Sequence, residues 1–308
     1  MRSCLPHKSD DGATTTLRGR EVTSIAAARR SLAQAFRAAG LDAPALDARL
    51  LVGHALGLDH AALAAAAERL LAPAEIACID ALAMRRLVGE PVARIVGMKE
   101  FWGLPLLVTP AVLVPRPDSE TLVAAALTAL DARKARARAV RFADLGTGSG
   151  ALLLALLSEL PHAYGVGTDR DRCALAAARA NAERLGLAAR AGFVSSDYGT
   201  ALTGGFELVI ANPPYVCTRD IESLAPEVRN FDPRGALDGG PDGLAAYRAI
   251  AADAGRMLAP AAPLLVEVGK GQSRAVTDLF ERAGLAVESA PQRDLAGIAR
   301  VITARRLV

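Results

Sequence analysis

Cysteine and histidine are scarce in this chain of 308 residues, with four of each. Cys4, Cys78, Cys173 and Cys217 share no Cys-x-x-Cys spacing. Neither a disulfide framework nor a zinc site is expected, and a reducing cytoplasm fits. No histidine lies at metal-ligand spacing from another, so no metal centre is expected. No apolar run free of charge reaches membrane-spanning length. The N-terminus carries basic residues without an apolar stretch behind them, so a secretory signal is not expected. An excess of one charge is also lacking: 36 Lys and Arg against 33 Asp and Glu leave +3. Arginines are spread along the chain, which permits contact with an RNA-rich particle without demanding it.

Apolar residues are plentiful, at 52%. A chain of this length and content can fill two domains and a sizeable core. Much of the apolar content is alanine, which favours helix.

Residues 1–20 are polar, with Asp10-Asp11-Gly12 and Thr14-Thr15-Thr16, and read as a disordered tail. Residues 21–90 carry helical periodicity and read as a small all-helical domain. Leu32, Phe36 and Ala39 share one face there, and Leu46, Leu50 and His54 another. This domain is either a structural cap or a surface that recognises a partner. Over 91–117 glycines and prolines bound short extended segments, as in a β-hairpin linking two domains. From 118 to 308 the chain alternates helix and strand. Strand candidates are 140–144, 164–169, 192–195, 206–211, 264–268 and 299–303, with helices near 150–159, 172–186, 243–258 and 272–283. This alternation predicts an α/β fold, a mostly parallel sheet with helices on both faces.

Two segments carry the chemistry. Asp144-Leu145-Gly146-Thr147-Gly148-Ser149-Gly150 follows one strand and opens a helix. Its three glycines permit a tight turn and close backbone approach to a ligand. Asp169 ends the next strand, where a carboxylate can accept both hydroxyls of a ribose. The competing role for Asp169 is capping the helix that begins near Asp171. These features suit a nicotinamide dinucleotide or S-adenosylmethionine. The second segment is Asn212-Pro213-Pro214-Tyr215, after a buried strand. The two prolines lack amide hydrogens and stop the strand, leaving an amide side chain, free carbonyls and an aromatic ring at its carboxyl end. Hydride transfer has no use for that segment, so with Asp144 it favours S-adenosylmethionine. Ser196-Asp197-Tyr198 could hold adenine. Arg116 is a substrate contact or an ion-pair partner, and Asp238–Gly243 a closing loop or a connecting turn. Glu267 ends a strand on the same side and is given no role.

The chain resembles class I S-adenosylmethionine-dependent methyltransferases, and within them the release factor glutamine N5-methyltransferase family. The resemblance spans roughly 23–306. It rests on Gly89-Glu90-Pro91, Phe101-Trp102-Gly103-Leu104, Val114-Pro115-Arg116-Pro117, the glycine loop, Asn212-Pro213-Pro214-Tyr215 and Gly239-Gly240-Pro241-Asp242-Gly243-Leu244. Asn-Pro-Pro-Tyr occurs also in adenine-N6 methyltransferases of nucleic acids, which lack the Pro-Arg-Pro block. The related ribosomal-protein glutamine methyltransferases usually show Pro-Arg-Ser there. The resemblance implies a Rossmann-like domain with a seven-stranded, mostly parallel sheet. It implies S-adenosylmethionine held by Gly146, Thr147, Gly148, Ser149, Gly150, Asp169, Tyr198 and Asn212. The family often has Trp where Tyr198 aligns, and a phenol ring stacks similarly. Asn212, Pro213 and Tyr215 would be catalytic, and with Pro214 would shape the substrate pocket. The implied substrate is the glutamine of the Gly-Gly-Gln loop in release factors one and two, with no nucleic-acid substrate.

Overall fold

The computed structural model describes residues 23–288 and 290–306. The tail expected over 1–20 lies outside them. The chain divides into two units, one ending at Val96 and the other beginning at Gly97.

The first unit is helical. Ser24 accepts a hydrogen bond from the Ala27 amide and opens α1, Ile25–Ala38. Ile25, Ala28, Leu32 and Phe36 recur at helical spacing and are buried. Then come α2, Pro44–Leu56, with Pro at its start and Gly57 in the left-handed region at its end, and α3, His60–Ala65. Next is α4, Pro73–Leu87, whose Glu75 carboxylate accepts the Ala72 amide at 2.8 Å. The buried Arg86 donates to Asp47 at 2.8 Å, tying α4 to α2. The sequence expectations are refined at one place and corrected at another. Ala39, Leu46, Leu50 and His54 are exposed, while Ala48, Leu51 and Val52 supply the core face of α2. Residues Val92–Val96, expected to be extended, form the short helix α5. Pro91 accepts the Arg94 and Ile95 amides to start that turn, and the burial of Ile95 outweighs its β-branched preference for strand.

The second unit opens with a hairpin, β1 (Met98–Phe101) and β2 (Leu104–Leu107). Its turn residues Trp102 and Gly103 both have positive φ, the geometry that matches hairpin twist. A 3₁₀ turn, Pro117–Ser119, leads into α6, Glu120–Ala132. The alternation follows: β3 (Arg141–Leu145), α7 (Ala151–Glu159), β4 (Tyr164–Asp169), α8 (Arg172–Arg184), β5 (Ala191–Ser195) and β6 (Leu208–Ala211). After a short helix α9 (Pro226–Phe231) come α10 (Ala245–Met257), β7 (Pro263–Glu267), α11 (Ser273–Arg282), β8 (Leu285–Val287), β9 (Gln292–Arg293) and β10 (Ala299–Arg306).

Seven strands lie in the order β5-β4-β3-β6-β7-β10-β8. The first five pair in parallel, and β10 runs antiparallel to both β7 and β8. The two-residue β9 also pairs with β10, making eight. Strand alternation places Leu208 and Ile210 in the core on one sheet face and Val209 and Ala211 in the core on the other. A parallel sheet covered by helices on both faces reads as continuous apolar runs, as β6 does.

Candidate active site

The chain leaves β3 toward β4 on one side and, later, toward β6 on the other, so the carboxyl ends of these strands border a crevice where the strand order reverses. The glycine loop occupies the end of β3. Thr147 Oγ1 donates to the buried Asp144 carboxyl at 2.6 Å, and the Thr147 amide donates to Thr168. Burial pushes Asp144 up to about 7, against the Thr147 hydrogen bond, and the nearby Asp169 charge adds to the rise. Gly146, Gly148 and Gly150 all hold positive φ. Beyond Gly148 there is open space where a side chain would be, whereas a Cβ on Gly150 would lie 3.2 Å from that of Ala178. Gly150 thus allows close packing of α7 on α8, and it does not line the cavity.

Asp169 stands at the end of β4. Its carboxylate accepts the Gly148 amide at 3.0 Å and the Asp171 amide at 2.9 Å. Asp171, not Asp169, caps α8, accepting the Cys173 amide at 2.8 Å. Burial raises the Asp169 pKa against those two amide bonds. Tyr198 holds a positive φ, and its ring edge is 3.9 Å from where a Gly146 Cβ would stand. Ser196 faces the same cavity, but its hydroxyl also accepts the Ala201 amide and orders the turn.

Asn212 follows the wholly buried β6. Its Nδ2 donates to Ser119 Oγ at 2.9 Å, which leaves Oδ1 as the free end of the carboxamide. Asn212 and Pro214 line the cavity; next to them Pro213 is buried and Tyr215 half-buried. The Tyr215 carbonyl accepts Gln272 Nε2 at 2.9 Å. The glycines of the 239–243 loop press on this segment. A Cβ on Gly243 would lie 2.5 Å from the Tyr215 carbonyl oxygen, and one on Gly239 2.8 Å from that of Pro214. With Val216 paired to Leu237 and Gly239, the loop clasps the backbone that follows Tyr215. Arg116 lines the cavity and pairs with the buried Asp232 at 2.5 Å. At the end of β7 Glu267 is buried, and burial pushes it up to about 7. Ser119, the Arg300 charge and Asn212 oppose that rise, while the Asp118 charge adds to it.

These elements enclose a cavity of about 330 Å³. It brings together Gly146, Thr147, Gly148, Ser149, Asp169, Tyr198, Asn212 and Pro214 of the expected set. Ser119, Asp232, Gln272 and the surroundings of Glu267 were not foreseen. A charge closing an otherwise apolar strand was the available signal for Glu267.

Comparison with known proteins agrees with this construction. Residues 27–97 match the family described as the PrmC N-terminal domain, and residues 121–227 the methyltransferase small domain. A release factor glutamine methyltransferase from Bradyrhizobium diazoefficiens is 52% identical over 92% of this chain and 95% of its own length. One from Rhodospirillum rubrum is 45% identical over 88% and 82%. Among solved structures, the hMettl16 catalytic domain in complex with an RNA hairpin superposes with a TM-score of 0.52 at 15% identity, covering 75% of this chain and 82% of that one. That likeness concerns fold alone. This chain belongs to the release factor glutamine methyltransferase family.

Proposed function

We propose that the chain transfers a methyl group from S-adenosylmethionine to the side-chain amide nitrogen of the glutamine in the Gly-Gly-Gln loop of peptide chain release factors. The observation that carries this is Asn212. Its nitrogen is committed to Ser119, so a lone acceptor oxygen borders the cavity that also holds the glycine loop and Asp169. The residues present fit the cofactor. The space beyond Gly148 is open to a ligand, Asp169 offers acceptor lone pairs for a ribose diol, and the Tyr198 ring offers a flat face to adenine. When bound, S-adenosylmethionine supplies an electrophilic methyl group on its sulfonium.

A glutamine amide nitrogen is a weak nucleophile because its lone pair is delocalised into the carbonyl. Asn212 Oδ1 and the Pro213 carbonyl each accept one N–H of that amide. Acceptors set out of the amide plane favour a pyramidal nitrogen and aim its lone pair at the methyl carbon. Such alignment supplies much of the acceleration. The same two dipoles stabilise the positive charge that develops on nitrogen. Pro214 shapes the wall, and Tyr215 packs on the amide and fixes its orientation. The proton leaves to water after transfer.

We assign the helical unit, in which Leu46, Leu50 and Val88 are exposed, to recognition of the release factor. A cytoplasmic location follows from that substrate. Among the described residues no helix is long and apolar enough to cross a membrane. The test is methyl transfer from labelled S-adenosylmethionine, with purified release factor, ribosomal protein and DNA in parallel tubes. Label on the release factor is the expected result. Label on the ribosomal protein or on adenine alone would keep the fold and replace the partner.

A further inference from the structure

Glu267 closes a strand whose five residues are all buried, and the transfer described above does not use it. It is 2% exposed, and its Oε2 atom has no hydrogen-bond partner among the described residues. A buried carboxyl left incompletely satisfied lowers stability, so packing alone does not account for it. Glu267 follows Val266, the register partner of Ala211, so it stands beside Asn212 at the strand ends, and Ser119, which accepts Asn212 Nδ2 at 2.9 Å, is the other polar side chain bearing on its carboxyl.

We propose that Glu267 is a positioning residue which, through Ser119, decides which end of the Asn212 carboxamide faces the cavity. This rests on the glutamine-amide reading of the site. A serine hydroxyl both donates and accepts, so Ser119 alone would hold Asn212 either way round. It could take a hydrogen bond from Nδ2 or give one to Oδ1. A carboxylate only accepts. Beside an ionised Glu267 the Ser119 proton points to the carboxylate, leaving lone pairs for Asn212. Nδ2 must then turn inward, and Oδ1 is left for the substrate N–H. Protonated Glu267 removes that bias. Its own O–H can donate to Ser119, freeing the serine proton for Oδ1, and the flipped amide becomes competitive.

The position of Glu267 on the pH scale makes this testable. Burial pushes it up to about 7. The groups facing it are Arg300 from β10, Asp118 from the turn before α6, Tyr215 after β6 and Tyr247 from α10. Arg300 and both tyrosines have raised pKa values and keep one protonation state across neutral pH. Orientation of Asn212, and with it kcat, is therefore lost as pH falls below about 7.

The experiment compares wild type with the isosteric Glu267→Gln. The Asn212 side-chain NH2 resonances of the free chain are followed by nuclear magnetic resonance across neutral pH. Cofactor Kd, kcat and KM are measured beside them. In wild type the resonances and kcat should titrate together. In Glu267→Gln neither should titrate, and kcat above neutral pH should fall roughly tenfold, the equivalent of one hydrogen bond, with cofactor Kd held within about twofold. Ser119→Ala combined with Glu267→Gln should lose no more than either change alone, because both act on one network. Resonances that do not titrate in wild type, or that titrate equally in the variant, overturn the proposal. So does wild-type kcat in Glu267→Gln. Failure of the glutamine reading looks different: the wild-type resonances still titrate, supporting the network, while no methyl reaches the release factor.

Discussion

Asp144 and Glu267 stand at the carboxyl ends of two strands of one sheet, each almost sealed from solvent. Burial pushes each up to about 7, and each keeps one oxygen with no hydrogen-bond partner among the described residues. They serve opposite sides of the cavity. Asp144 anchors Thr147 and so holds the backbone of the glycine loop. Glu267 neighbours Ser119 and Asn212 and so bears on one side chain. The side we assign to the cofactor is thus organised as main chain, which suits a ligand bound along its length. The acceptor side is organised as one carboxamide, which suits an amide held by one face. Carboxyls with pKa values perturbed in this way cluster at functional sites.

Changes confined to one side should separate binding from transfer. The largest effect is expected at Asn212→Ala. Removing one preorganised dipole should lower kcat by about 10² to 10³, with cofactor Kd changed only a few-fold in calorimetry. Equal losses in both would erase the division between the two sides.

Stability against pH probes the carboxyls themselves. Folding raises the Asp144 pKa from 3.8 to about 7 and that of Glu267 from 4.5 to about 7. The folded state therefore binds more protons than the unfolded chain in that window, and stability falls as pH rises through it. Asp144→Asn should remove its share, on the order of 3 kcal/mol between pH 4 and 8. Denaturant titrations of both proteins across that range would show it, and parallel curves would contradict it.

Asp169→Ala is the mirror of the Asn212 change. Losing a charged acceptor corresponds to about 1.5–3 kcal/mol, so cofactor Kd should rise roughly 10- to 100-fold. The value of kcat at saturating cofactor should stay within a few-fold.

Gly243→Ala sharpens the acceptor side alone. The new Cβ would meet the Tyr215 carbonyl at 2.5 Å on a backbone with φ of 74°. A loss of roughly 1–3 kcal/mol in stability is expected, with KM for the protein substrate raised more than cofactor Kd. Thermal melts and kinetics together check it.

Much of this architecture was legible in the sequence because its signals are local. The glycine loop and Asn-Pro-Pro-Tyr each sit within seven consecutive residues. The central strands β6 and β7 are buried on both faces, so they read as apolar runs. What escaped is long-range or short. Ser119 meets Asn212 across 93 residues, and Asp232 reaches back 116 residues to Arg116. No pattern in either stretch announces the pairing. Strands β8 and β9, of three and two residues, are too brief for a period to register. Leu46 and Leu50 do share a helix face, but four-residue spacing does not say which face is covered. Val92–Val96 misled because β-branched residues follow tertiary burial as readily as local propensity.

The central claim is that one carboxamide presents a glutamine side chain for methylation. Its most direct test is fragment mass spectrometry of release factor one after incubation with this chain and labelled S-adenosylmethionine. The account predicts one methyl group, on the side-chain nitrogen of the Gly-Gly-Gln glutamine. A methyl group on another residue, or an unmodified glutamine beside a labelled lysine or arginine, would contradict it.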